Sequence, residues 1–378
     1  MKIQQLYMHD LVSETIIKDI SFSRLNVLVG LSGAGKTTII SSLKKLVDIA
    51  EGSPSRGLTW CLTFTDDDER LVQWSGKIST DWELTSEGTI QGKFVREKLL
   101  INNEVIIDST SEKTLFNNTN LPTLDVSRSL IFHLKNDNTI KNIYSSLISC
   151  VIIDVDSNDF SQSHHYTMVK SAIHKDVLEY KNRLDIKKLS CKYKDLSCRE
   201  KIYYAYKYDK DSFDDFLFVY TSIFPEVKSI IPSLFRTGGD SSINEELRVL
   251  FINIQMRNGK QVNQKDISSG MFKTMMILSE LYFGNNKSPI IIDEIENSLG
   301  INCLPDVLTE LNMVSNQVII TSHHPRVINE IPREHWSIVS RDAKGSIITY
   351  PAKEVLSDTS RHEAFLQLIN SPEYRGKR

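Results

Sequence analysis

Gly30-Leu31-Ser32-Gly33-Ala34-Gly35-Lys36-Thr37 fits the spacing GxxxxGK(S/T), and both of its flanks agree with that reading. Ahead of it, Leu25-Asn26-Val27-Leu28-Val29 is a short apolar run that predicts a buried strand. Behind it, Ile39, Ile40, Leu43 and Leu46 recur at helical spacing and predict a helix. A strand that turns through glycines into a helix start aims several N–H groups and the positive end of the helix dipole at one point. Gly30, Ser32, Gly33, Ala34, Gly35 and Thr38 would build that cradle. Lys36 adds a mobile charge for the β- and γ-phosphates, and the Thr37 hydroxyl a ligand for Mg²⁺. The expected ligands are therefore ATP and Mg²⁺.

Two apolar strands in the carboxyl-terminal third extend the pattern. Ser288-Pro-Ile-Ile-Ile-Asp-Glu294 runs without a polar break into two acids, which suits the centre of a parallel sheet. Acids at the carboxyl end of such a strand stand where α/β sheets bind ligands. Asp293 is expected to hold Mg²⁺ and Glu294 to orient or deprotonate the attacking water. Val318-Ile-Ile-Thr-Ser-His-His-Pro325 predicts a second buried strand with His323 at its polar end. Between P-loop and acidic strand, Ile267-Ser268-Ser269-Gly270-Met271 opens a helix running to about Leu281. Serine hydroxyl, N–H groups and dipole there make a second anion site, one able to reach a γ-phosphate from a second subunit.

The order P-loop, signature helix, acidic strand, histidine strand resembles the ATP-binding-cassette superfamily. Within it the chain is similar to the soluble ABC/SMC-like branch, which includes the overcoming-lysogenization-defect ATPases and related phage-defence ATPases. The resemblance covers roughly the first 155 and last 130 residues. It implies an α/β fold: an ABC-type P-loop NTPase head with a parallel core sheet, helices on both faces, an antiparallel β subdomain and a helical insertion. By the signature match, Ser268, Ser269 and Gly270 would contact the γ-phosphate held by the partner copy, so a homodimer or higher oligomer is implied. By the same match Asp293-Glu294-Ile-Glu-Asn-Ser-Leu-Gly300 is the acidic strand with its D-loop, and His323 the switch histidine, with His324 beside it. Met271 and Gly300 depart from the family pattern. No Q-loop glutamine is located; Gln73 and Gln91 both fall in strand-like segments.

Composition permits this reading and excludes others. A chain of 378 residues holds one large α/β head and a smaller insertion. A net charge of −3 excludes a generally basic nucleic-acid coat. No apolar run approaches the roughly 20 residues of a membrane span, and no secretion leader is read at Met1. The five scattered cysteines read as reduced thiols, so a cytoplasmic location is expected. Cys191 and Cys198 lack the spacing of a zinc site, and the pair His164-His165 reads as surface rather than metal ligands.

Organisation follows the motifs, with expected divisions at 1–155, 156–242 and 243–378. Lys2 to Ile20 predicts an antiparallel strand pair, and Leu58 to Asp108 a run of strands with a hairpin turn at Asn102-Asn103. Ser163 to Phe235 reads as helical, and Thr237 to Ser242 as a flexible link. Lys170 to Lys210 carries twelve Lys/Arg against six Asp/Glu, with six tyrosines interleaved. Two readings stand there: a surface for nucleic acid or a protein partner, or a solvated helical lid with half-buried rings. The tail after Pro325, about fifty residues, is too short for an appended nuclease domain. The function expected from the resemblance is an ATPase that dimerises around ATP and controls a separate effector, a nuclease or toxin, in anti-phage defence. A nucleotide-gated scaffold with little turnover and a DNA-repair or DNA-end-processing ATPase are the alternatives.

Overall fold

A computed structural model describes residues 1–84, 90–122, 124–153, 167–169, 171–180, 184–193, 196–236, 248–297, 299, 302–357 and 361–375. Lys170, His164, His165, Lys194, Thr237 to Ser242 and Gly300 lie outside the described residues, as do any expectations resting on them. The chain forms two compact units, one of residues 1–152, 287–294 and 315–378, the other of residues 153–286 and 295–314.

The first unit is organised by a large mixed sheet. Four strands are parallel neighbours: Ile290–Ile292, Val318–Ser322, Leu25–Val29 and Trp336–Arg341. The register sets Val318 against Leu25 and Ser322 against Val29. Leu25–Val29, Ile290–Ile292 and Val318–Ser322 are buried at every position, which is why they read as unbroken apolar runs rather than alternating ones. Beyond Trp336–Arg341 the sheet continues through Ile347–Pro351, Thr15–Ser21 and Lys2–Asp10 into Leu58–Thr65, Leu71–Ile78, Phe94–Ile101 and Glu104–Thr110.

From Lys2–Asp10 outward that extension is antiparallel, the β subdomain expected beside the P-loop. Leu58–Thr65 buries every second residue, so its inner face, led by Trp60, packs on Trp74 edge to face at 5.2 Å. Asn102 and Asn103 take φ of 49° and 69°, the left-handed pair a two-residue hairpin needs. The helix Lys36–Ala50 lays Ile39, Ile40, Leu43 and Leu46 into the same core.

The second unit departs from the helical reading of Ser163 to Phe235 at two described strands, Thr167–Val169 and Val227–Arg236. Val227–Arg236 is a ten-residue strand, paired antiparallel with Arg248–Met256, which in turn pairs with Thr167–Val169. Val227, Ile230 and Pro232 are buried, and Pro232 sits on the outer strand of this sheet, where a missing N–H breaks no ladder. A proline inside a helix would have cost ~3 kcal/mol, so the strand wins locally. Helices Ser171–Tyr180, Ile186–Lys192, Cys198–Tyr208 and Lys210–Ile223 precede it.

The signature helix Ser269–Phe283 also belongs to this unit and is anchored from within it. Glu280 takes the Lys201 ammonium on both carboxylate oxygens at 2.7 Å, with both side chains buried. The Cys198 thiol donates to the same carboxylate at 2.8 Å, and the Arg199 guanidinium lies 5.1 Å from the Phe272 ring centre. Among the described residues no helix is long and apolar enough to cross a membrane. A buried charge deprived of its partner is strongly unfavourable. Glu280→Ala should therefore lower unfolding stability by about 3–5 kcal/mol in urea denaturation, with Lys201→Met combined with Glu280→Leu recovering most of it.

Candidate functional site

Four parallel strands ending at one edge bring their carboxyl-terminal loops together. Leu25–Val29 runs into the glycine turn, Ile290–Ile292 into Asp293 and Glu294, and Val318–Ser322 into His323. Trp336–Arg341 ends on Arg341 beside them. A cavity of about 540 Å³ opens there, lined by the glycine turn from Gly30 to Thr38 (Ala34 excepted), Glu294, His323, Arg341 and Tyr374. Every one of these residues belongs to the first unit.

The turn needs its glycines for two separate reasons. A Cβ on Gly30 would come 2.6 Å from the Val339 carbonyl oxygen, and one on Gly35 would strike the Ile347 side chain. Gly33 takes φ of 81° and faces open space, so there conformation alone demands glycine. Ala34 N–H closes the turn on the Leu31 carbonyl at 3.1 Å. Gly35 stands at the N-cap of Lys36–Ala50 and supplies no side-chain cap, leaving the helix's first N–H groups directed outward. Lys36 is 7% exposed, and its ammonium donates to the Gly30 and Leu31 carbonyls at 2.7 and 3.0 Å. Thr37 is exposed at the cavity and Thr38 half-buried.

The two acids differ in environment, and one threonine orders both. Asp293 is buried and accepts the Thr321 hydroxyl proton, while the same hydroxyl oxygen accepts the Glu294 N–H at 2.7 Å. Thr321 is itself fully buried on the neighbouring strand. Glu294 sits at φ of 43°, a left-handed conformation uncommon for a residue with a Cβ. The Thr321 bond to its N–H helps hold it there.

His323 is exposed on the cavity wall, whereas His324 caps the helix Pro325–Glu330, its Nδ1 accepting the Arg326 N–H at 3.2 Å. The two adjacent histidines thus have separate positions. Arg341 Nε donates to the Gly33 carbonyl at 3.3 Å. Tyr374 comes from the short helix Pro372–Arg375, and burial pushes its hydroxyl pKa above the usual value.

Ser268, Ser269 and Gly270 belong to the second unit. Ser268 is the N-cap of the signature helix, its Oγ accepting the Met271 N–H at 3.3 Å. A hydroxyl that accepts as a cap still has its proton to donate. Gln73 hydrogen-bonds the Cys61 thiol, away from the cavity lining. In the basic stretch, Tyr203 and Tyr204 are buried with Arg199 and Lys201, so those four side chains form core rather than surface. Sequence reading singled out neither Thr321, Arg341 nor Tyr374 for a role. Thr321 carried a signal, as a hydroxyl closing an otherwise apolar strand one position past the level of Ile292.

A glycine turn leading from a central parallel strand into a helix, with an acidic strand and a histidine strand beside it, is the arrangement of an α/β P-loop NTPase. More particularly, the chain belongs to the family described as "AAA domain, putative AbiEii toxin, Type IV TA system", whose model matches residues 25–329. Among solved structures it is similar to the SMC head in "Crystal structure of the SmcHead bound to the C-winged helix domain of ScpA". That likeness has a TM-score of 0.47 and 12% identity, covering 94% of this chain and 99% of that one. It is similar also to the SMC head domain from Thermotoga maritima, with TM-score 0.41 and 13% identity over 93% of this chain and 99% of that one. A comparison with curated proteins finds no match.

Replacing the Thr321 hydroxyl by a methyl leaves the buried Asp293 oxygen and the Glu294 N–H without that partner at almost unchanged volume. Thr321→Val should lower stability by about 1–3 kcal/mol in urea denaturation, while Thr321→Ser should stay within about 0.5 kcal/mol of the parent.

Proposed function

We propose that this chain binds and hydrolyses ATP with Mg²⁺, and that two copies close around the nucleotide in a head-to-tail dimer. The observation that carries the reading is that the P-loop, Glu294 and His323 line one cavity together. A triphosphate in the cradle would draw the Lys36 ammonium from its two carbonyls onto the β- and γ-phosphates. Glu294 then orients and deprotonates the attacking water, and His323 meets the γ-phosphate.

The residues fit a bound Mg²⁺ of the kind that keeps several waters. Thr37 offers an exposed hydroxyl, and Asp293 keeps one carboxylate oxygen beyond the one Thr321 occupies. Among the described residues no group of three or more His, Cys, Asp or Glu could hold a metal, so phosphate oxygens and water would complete its shell. When bound, the ion neutralises charge on the β- and γ-phosphate oxygens.

Ser268, Ser269 and Gly270 of the second copy would reach the γ-phosphate through the Ser268 hydroxyl and the free N–H groups of the signature helix. Dimer stability then depends on ATP, because only the triphosphate touches both copies. Hydrolysis removes those contacts and releases the partner. We read this cycle as a switch on a separate effector in anti-phage defence. Support for that output is the family description, which names a toxin of a toxin–antitoxin system, together with the resemblance to phage-defence ATPases.

Glu294→Gln keeps the shape of the site but removes the base. It should lower turnover by about 10²–10⁴-fold and trap a dimer, seen as earlier elution on size exclusion with ATP and Mg²⁺. Lys36→Ala should abolish both turnover and the shift. An unchanged elution of Glu294→Gln at saturating ATP would refute the dimer.

A further inference from the structure

The strand order gives a bound nucleotide a direction. The strands bearing Glu294 and His323 lie on one side of the P-loop strand, and Trp336–Arg341 lies on the other. In the reading above the terminal phosphate stands beside Glu294 and His323. The α-phosphate, sugar and base must then leave the loop toward Trp336–Arg341, and on that wall of the cavity stand Arg341 and Tyr374.

Arg341 is held at the apex of the P-loop. Ile338 pairs with Val29, and Arg341 lies three residues beyond it, as Ser32 lies three beyond Val29. Its Nε donates to the Gly33 carbonyl at 3.3 Å and its Nη1 to the Gly345 carbonyl at 2.8 Å, so the guanidinium spans the loop and the hairpin turn at Gly345. It brings a second fixed cation to the cavity, remote from the water-activating side. Tyr374 arrives from the far carboxyl-terminal segment. The short helix that carries it packs on Trp336–Arg341, tethered by Arg375, which donates to the Ile369 carbonyl at 2.8 Å and the Asn370 side-chain oxygen at 2.6 Å. Tyr374 is 9% exposed and lines the cavity.

We infer that Arg341 and Tyr374 form the nucleoside end of the site, the Tyr374 ring packing on the face of a purine base and Arg341 meeting the α-phosphate. The inference rests on the P-loop being the triphosphate site. An aromatic face can stack on a base, and a guanidinium can pair with a phosphate beyond the terminal ones. It makes the carboxyl-terminal segment part of the nucleotide pocket rather than an appendage to the sheet.

Calorimetric titration of the full chain with ATP, ADP and inorganic tripolyphosphate, each with Mg²⁺, separates the two readings. Tyr374→Ala should weaken ATP and ADP by about tenfold or more and leave tripolyphosphate within about twofold, while Tyr374→Phe binds as the parent does. Arg341→Gln should weaken ADP by about fivefold or more. Tyr374→Leu, which keeps the helix packed, gives the same readout should the alanine variant fail to fold. ATP binding unchanged in Tyr374→Ala would overturn the inference and leave the P-loop reading standing. Equal losses for ATP and tripolyphosphate would overturn it too, since the ring would then act through the loop's structure. A parent chain that binds neither ligand would overturn both readings.

Discussion

Everything in the candidate site depends on how tightly the glycine turn is wedged against its own sheet. The Val339 carbonyl and the Ile347 side chain occupy the space where Gly30 and Gly35 would carry a Cβ. That contact fixes the turn's path, and the path fixes where its N–H groups and the uncapped start of Lys36–Ala50 converge. Such convergence is unfavourable without an anion or a counter-dipole nearby. The Lys36 ammonium sits on two loop carbonyls, the complementary half of the same field. Gly30 is therefore required by packing against backbone and Gly35 also by its φ of 111°, and a phosphate in the turn would use the shape so imposed.

Beside the turn, the acids are organised by a neighbouring strand rather than by each other. Thr321 gives its proton to Asp293 and accepts from the Glu294 backbone, so one buried hydroxyl sets the position of both. Glu294 is held in a left-handed conformation and lines the cavity. Adjacent carboxylates with different surroundings can take different tasks, as proposed for Asp293 with the metal and Glu294 with the proton. In the second unit the signature helix has a comparable anchor in the buried Lys201–Glu280 pair.

Much of this was readable in the sequence because the decisive elements are local. Leu25–Val29, the glycine turn and its helix, the acidic strand and the histidine strand each announce themselves within ten residues, and the structure brings them to one sheet edge. What escaped reading depends on contacts between distant positions. Val227–Arg236 reads as helical by periodicity and is a strand paired with Arg248–Met256. Nothing near Thr321 in the chain points to Glu294, 27 residues earlier. Arg341 and Tyr374 belong to no motif, and only strand pairing and helix docking carry them to the cavity. The separation of His323 from His324 likewise required the helix that His324 caps.

The central claim is that a triphosphate lies in the glycine turn, shared between two copies, with its terminal phosphate on the side of Glu294. A crystal structure with a nonhydrolysable ATP analogue and Mg²⁺ tests it most directly. The account predicts β-phosphate density within hydrogen-bond reach of the turn's N–H groups, and the γ-phosphate between His323 of one copy and Ser268 of its mate. An empty turn under saturating analogue, or a nucleotide running the opposite way with its base beside Glu294, would contradict it.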